Sequence, residues 1–143
     1  MYSFRKATSN DYIFLYELNV STMKKYVEQT WGWDDKAQQE YFKSKFVPDE
    51  FKIIVENEKD IGVVSIIDKT DEIFIDLIEI IPEYQNKGLG TAILKDIIKN
   101  SKTKDCILKL QVLKVNPVIS LYKRLGFNIS GETKTHFIME HLK

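Results

Sequence analysis

Residues 73–91 read Ile-Phe-Ile-Asp-Leu-Ile-Glu-Ile-Ile-Pro-Glu-Tyr-Gln-Asn-Lys-Gly-Leu-Gly-Thr. The apolar run 73–81, interrupted only by Asp76 and Glu79, stops at Pro82. Apolar side chains on both faces of an extended segment mark a strand covered on both sides, so the run is read as the central strand of a sheet. The stretch after Tyr84, Gln85-Asn86-Lys87-Gly88-Leu89-Gly90-Thr91, leads into a helical pattern over 88–100 with Leu89, Ile93, Ile97 and Leu94, Ile98 as inward rows. Glycine adopts dihedrals closed to other residues and lets another group approach the main chain. The first turn of a helix presents unpaired N–H donors and the positive end of its dipole. A buried strand, a glycine loop and a helix start in that order can cradle an anion, most naturally phosphate. The segment lacks the Gly-x-x-x-x-Gly-Lys-Ser/Thr pattern of nucleotide phosphate loops and the first glycine of the dinucleotide fingerprint. Taken alone, a tight turn that packs a helix on a sheet explains it equally well.

Toward the N-terminus, residues 51–56 and 61–68 read as two further strands, with turns at 57–60 and 69–72, so three strands form a meander. Residues 2–7 suit a short edge strand. A helix is expected over 10–29, with Asn10-Asp11 as capping residues and Ile13, Leu15, Leu18, Met23, Tyr26 and Val27 at inward spacing. Trp31-Gly32-Trp33 breaks it, and Asp34 caps a second helix over 35–46, with Tyr41, Phe42 and Phe46 inward and Pro48 closing the region. Toward the C-terminus, 105–113 reads as a strand. Asn116-Pro117 opens a helix, with asparagine as cap and proline in the first turn, and Gly126 ends it. Strands at 127–131 and 135–142 complete the order β-α-α-β-β-β-α-β-α-β-β, one mixed α/β domain over 1–143.

The 143 residues are 43% hydrophobic and 29% charged, which suits one globular domain. Lys+Arg and Asp+Glu both number 21, so no basic sheath for nucleic acid is expected. One cysteine, Cys106, excludes an internal disulfide and a cysteine-based zinc site, and two histidines, His136 and His141, make a poor metal set. Met1 to Arg5 lacks the apolar core of a secretory signal, and no apolar run approaches the roughly 18 residues of a membrane span. The expectation is a cytoplasmic protein without metal, nucleic-acid or membrane partners.

Gln85-x-x-Gly88-x-Gly90 resembles the Gln/Arg-x-x-Gly-x-Gly/Ala signature of the Gcn5-related N-acetyltransferases, the GNAT family. Val115-Asn116-Pro117-Val118-Ile119-Ser120-Leu121-Tyr122-Lys123-Arg124-Leu125-Gly126-Phe127 resembles that family's second cofactor motif, and the element order also fits. The Trp31-Gly32-Trp33-Asp34 segment looks like that of a bacterial subgroup. The resemblance implies a mostly antiparallel central sheet of about seven strands with about four flanking helices. It also implies an enzyme that passes an acetyl group from acetyl-CoA to an amine of a small molecule or peptide. A monomer or a homodimer, paired through a final-strand edge or a helix surface, is expected. Gln85, Asn86, Lys87, Gly88, Leu89, Gly90 and Thr91 would hold the cofactor pyrophosphate. Pantetheine would lie where the central strand splays from its parallel neighbour, near Ile80 and Ile81, with a main-chain N–H there as oxyanion donor. Asn116 matches a cofactor-contacting asparagine, although Asn-Pro is also a good helix start.

Acyl transfer to an amine needs a neutral nucleophile, a stabilised oxyanion and a proton for the leaving thiolate. Tyr122 matches the family's general acid and would also contact the cofactor, and packing on the helix face is the competing reading. Glu79 is read as the base, with an ion pair or a substrate anchor equally weighted beside it. Asp76, three residues earlier, points to the other face of a regular strand. Acceptor specificity is expected from 26–38 and 130–137, with Trp31, Trp33, Asp34 and His136 as candidates, because tryptophans beside an aspartate suit a cationic amine. The competing reading is that the tryptophans pack the helix junction. A module that binds acyl-CoA without catalysis is the alternative for the whole chain, and a nucleotide-binding protein sharing only the glycine loop is a third.

Overall fold

The structure, a computed structural model, describes residues 1–141. Its elements are β1 (Tyr2–Lys6), α1 (Tyr12–Trp31), α2 (Asp35–Lys45), β2 (Lys52–Glu56), β3 (Lys59–Asp68), β4 (Glu72–Ile80), α3 (Leu89–Thr103), β5 (Ile107–Leu113), α4 (Ile119–Arg124), β6 (Asn128–Glu132) and β7 (His136–His141). The seven strands form one mixed, mostly antiparallel sheet in the order β1-β2-β3-β4-β5-β7-β6, so the apolar run at 73–81 does supply its central strand. The described residues fall into two compact units, Met1–Ser65 with Leu77–Tyr84, and Ile66–Asp76 with the chain from Gln85 onward.

In the first unit β1 pairs antiparallel with β2 from Tyr2↔Glu56 to Lys6↔Lys52, and β2 pairs antiparallel with β3. The β2–β3 hairpin is tighter than the four-residue turn expected from the sequence. Only Asn57 and Glu58 lie outside the strands, at φ 51° and 65°. Two successive positive φ values are the signature of a two-residue hairpin turn whose twist matches the strands. Ala7, Leu15, Leu18, Phe51, Ile53 and Val63 are buried together, with Phe14, Phe42, Phe46, Leu77 and Ile81 packed against them. Full burial stabilises each such side chain by roughly 1.5–3 kcal/mol.

Two inward assignments in this unit fail: Ile13 is 63% exposed and Tyr41 62% exposed. Both lie one residue before a residue that does pack, Phe14 and Phe42, where helical rotation carries them off the inner face. The first helix also starts later and ends later than expected. Ser9–Asp11 is a tight 3₁₀ turn capped by Thr8, whose hydroxyl accepts from Asn10 N while Asp11 accepts from Thr8 N. Asp11 is held further by the two guanidinium NH groups of Arg5, at 2.8 and 3.0 Å, which lower its pKa. The helix then runs through Trp31, and Gly32 N–H closes it on Glu28 O at 2.9 Å.

In the second unit β4 and β5 run parallel, paired from Glu72↔Ile107 to Ile75↔Leu110. β7 pairs antiparallel with both β5 and β6. Ile93, Leu94, Ile97 and Ile98 of α3 are buried, as are Leu108, Leu110, Phe127 and Met139. The last helix is shorter than its motif suggested. Asn116, Pro117 and Val118 form a 3₁₀-type opening, and regular helix begins at Ile119. Among the described residues no helix is long and apolar enough to cross a membrane.

Candidate active site

The chemically distinctive feature of the first unit is the end of β4. Glu79 is only 5% exposed. Its Oε2 accepts from Asn19 Nδ2 at 2.9 Å, and its Oε1 is buried without a hydrogen-bond partner among the described residues. Burial disfavours the charged form and pushes the Glu79 carboxyl up to about 7, against smaller downward pulls from Asn19 and Thr22. A carboxyl poised there exchanges a proton near neutral pH. Asp76, on the same strand, is exposed and takes no part in this environment.

β3 meets this point with a glycine. A side-chain carbon at Gly62 would run into the carbonyl oxygen of Glu79 and lie 3.3 Å from Ile80 Cα, so only glycine lets the strand run this close. Ile80 is buried. The main chain of Ile81 is engaged on both sides: its N–H donates to Ile61 O at 2.8 Å and its carbonyl accepts from Tyr84 N at 3.0 Å. Pro82–Tyr84 is a 3₁₀ turn that carries the chain away from β4.

The Trp-Gly-Trp-Asp segment is the α1–α2 junction. Trp31 ends α1 and is 60% exposed. The Trp33 ring lies 5.5 Å from Lys24 Nζ, and its Nε1 donates to Asp35 Oδ1 at 2.6 Å. Asp34 Oδ1 accepts from Ala37 N at 3.0 Å, the expected cap of α2. Local structure therefore accounts for Asp34 and for the polar edge of Trp33, and most of the Trp31 side chain is exposed.

In the second unit the loop Gln85–Gly88 is largely exposed and enters α3 at Leu89. Asn86 has φ 61° and Gly88 φ 84°, with Lys87 between them. Alternation of hand along successive residues is how main-chain N–H groups are turned into an anion-binding concavity. Gly88 is the cap residue of α3, no side chain caps the helix, and its first turn holds no acidic residue. A side-chain carbon at Gly88 would meet nothing within 4 Å, so this cradle is open on its outer side. A polyphosphate fits that set of observations: a positive helix end, no acidic residue in the helix's first turn, and open space beside Gly88. Gly90 and Thr91 lie in the first turn of the same helix.

Asn116 Oδ1 accepts from Val118 N at 3.0 Å, which ties its side chain to the opening of α4. Tyr122 on α4 is buried and meets Phe127 edge-on, with ring centroids 5.7 Å apart. Burial pushes its phenol up to about 12, so it keeps its proton throughout the physiological range. His136 opens β7, where its Nδ1 lies 2.8 Å from Thr135 Oγ1 and its N–H donates to Thr133 Oγ1 at 3.0 Å. Burial lowers its pKa below the usual imidazole value, which favours a neutral ring.

The structure thus gathers Trp31, Trp33, Asp34, Glu79, Ile80 and Ile81 in one unit and Gln85 to Thr91, Asn116, Tyr122 and His136 in the other. Sequence reasoning missed Asn19 and Thr22. The signal was present: Leu15, Leu18, Asn19 and Thr22 share one helical stripe, and polar groups on an otherwise inward stripe have a buried partner to serve. No group of His, Cys, Asp and Glu among the described residues is arranged to hold a metal ion.

The model of the acetyltransferase (GNAT) family matches residues 13–127. No curated protein matches the sequence. Solved structures share the fold at low identity. The PaiA N-acetyltransferase from Thermoplasma acidophilum in complex with coenzyme A superposes with a TM-score of 0.80 at 19% identity, covering 100% of this chain and 99% of that one. The ribosomal-protein-S18-alanine N-acetyltransferase from Escherichia coli gives 0.67 at 23%, covering 98% and 92%. An Arabidopsis thaliana protein in complex with the bisubstrate analogue CoA-Ac-MVNAL gives 0.66 at 17%, covering 97% of each. With the family model spanning most of its length and the glycine loop and second motif within the match, the chain belongs to the acetyltransferase (GNAT) family.

Proposed function

We propose that this acetyl-CoA-dependent N-acetyltransferase passes its acetyl group to a primary amine of a small molecule or peptide by direct attack, with Glu79 as the base and Tyr122 as the acid. The observation that carries the reading is Glu79: a buried carboxyl, poised near neutral pH, with one oxygen unengaged. Acetyl-CoA supplies the acyl group as a thioester. The main chain of Gln85 to Thr91 holds its phosphates, with Ile80, Ile81 and Asn116 along the rest of the cofactor. The amine arrives as an ammonium ion, and Glu79 takes one of its protons, which frees the nitrogen lone pair for attack on the thioester carbonyl. Attack gives a tetrahedral intermediate; as its carbon–sulfur bond breaks, Tyr122, protonated at neutral pH, donates to the departing sulfur, and its phenolate is reprotonated by the second proton shed from the nitrogen that becomes the amide.

The neighbours support an amine acceptor. One is by its name an alanine N-acetyltransferase of a ribosomal protein, and another was solved with a peptide-bearing coenzyme A analogue. Trp31, Trp33, Asp34 and His136 are proposed to face the acceptor. The whole chain, 1–143, works as a single catalytic domain, monomeric or homodimeric, in the cytoplasm. Its Trp-Gly-Trp-Asp segment supports membership of the bacterial subgroup. Release of coenzyme A thiol is the test, with acetyl-CoA against spermidine, free lysine and a peptide with an N-terminal alanine. Turnover with at least one is expected. Tight acetyl-CoA binding without turnover on a broad amine panel would instead favour a non-catalytic binding module.

A further inference from the structure

Among the described residues no charged side chain acts on Glu79. The side chains acting on it are neutral, Asn19 and Thr22, both from α1. β3 meets it with the main chain of Gly62, and Asp76 of its own strand is exposed. Thr22 Oγ1 donates to Leu18 O at 3.0 Å, and its hydroxyl also draws the Glu79 carboxyl down, by less than Asn19 does. Among the described residues Asn19 gives the stronger of these two hydrogen bonds, its Nδ2 donating to the carboxylate at 2.9 Å across 60 positions of sequence. That bond goes to Oε2 and not to Oε1, so the two oxygens are made unequal.

We propose that Asn19 is a positioning residue for the transfer: its amide fixes Oε2 of Glu79 and leaves Oε1 as the oxygen that receives the acceptor's proton. This rests on the reading of Glu79 as the base. In the step an N–H bond of the ammonium breaks, its electron pair stays on nitrogen, and an O–H bond forms at Oε1. Glu79 then returns that proton to solvent before the next turnover. The amide has a second effect. Hydrogen bonding to the ionised carboxylate favours that form, so Asn19 holds the base lower than burial alone would leave it.

Two variants test this. Asn19→Leu keeps the branched shape and removes the donor, and Asn19→Gln keeps a donor. Both are checked for unchanged acetyl-CoA affinity, and for folding by the thermal midpoint at about pH 4, where Glu79 is protonated in every variant. Carbon-13 NMR titration of the Glu79 carboxyl, assigned by its loss in Glu79→Gln, needs no acceptor. The Asn19→Leu titration is expected to move up by about one pH unit, and Asn19→Gln to move part of the way back. With acetyl-CoA and spermidine or the alanine peptide, the acidic limb of the pH–rate profile is expected to move by the same amount. At pH 7 that is a roughly five-fold loss of rate, recovered near pH 9. An unmoved carboxyl titration in Asn19→Leu overturns the positioning role, as does a moved titration with an unmoved kinetic limb. If Glu79→Gln transfers acetyl at the wild-type rate, the base reading itself falls. If Glu79→Gln is slow while Asn19→Leu behaves as wild type, the positioning role falls alone.

Discussion

Glu79 carries a cost that is measurable without any substrate. Its pKa is raised from 4.5 to about 7 in the folded chain, so the native state holds a proton that the unfolded chain has lost over that window. The sign comes from linkage: the favourable contribution is complete below pH 4.5 and is lost as pH rises through 7. Glu79→Gln has no charge to bury. It is expected to match the wild type near pH 4 and to exceed it in stability by a few kcal/mol at pH 8, read from thermal midpoints at both pH values. The same substitution should cut the transfer rate by roughly 10²–10⁴-fold, the usual span for loss of a positioned base. A variant that gains stability at high pH while losing activity marks a residue strained for function and not for folding. Tyr122 differs, since its phenol stays protonated over the whole working range. Tyr122→Phe is expected to slow turnover at least tenfold with acetyl-CoA affinity unchanged, a split between kcat and binding that plain loss of packing would not give.

At the scale of elements, the β2–β3 turn and the loop before α3 both depend on left-handed residues. Glu58 occupies the second positive-φ position of its turn, at 65°. A side chain in that conformation costs roughly 1–2 kcal/mol, so Glu58→Gly should raise stability by up to about 1 kcal/mol after glycine's own entropy loss, as denaturant titration would show. At Gly88 the direction reverses. Its φ of 84° closes the position to other residues, and Gly88→Val is expected to weaken acetyl-CoA binding by tenfold or more in calorimetry by displacing the loop. Most of these elements were legible because their signals are local: the apolar run to Pro82, the inward rows of α3, and the Asp34 cap all hold. Ile13 and Tyr41 were misplaced because apolar identity alone does not say which of two adjacent helical positions faces inward. The Asn116 opening was read as regular helix because the same side chain–to–main chain bond serves a 3₁₀ turn. Asn19 was illegible as a partner of Glu79, since nothing local relates two residues 60 positions apart.

For the whole molecule, the balance of 21 basic and 21 acidic residues is compatible with a polyanionic co-substrate held by main-chain donors at one helix start. If the chain works as one domain, heating should give a single cooperative transition whose midpoint rises with acetyl-CoA concentration by mass action. Two separate transitions would show that the two compact units melt independently. What the chain does to acetyl-CoA is decided most directly by thiol release over the amine panel, run in parallel for the wild type and Glu79→Gln. The account predicts acceptor-dependent coenzyme A release by the wild type, growing as pH rises through about 7, and near-background release by the variant. Acceptor-dependent release of equal rate from both proteins would contradict it.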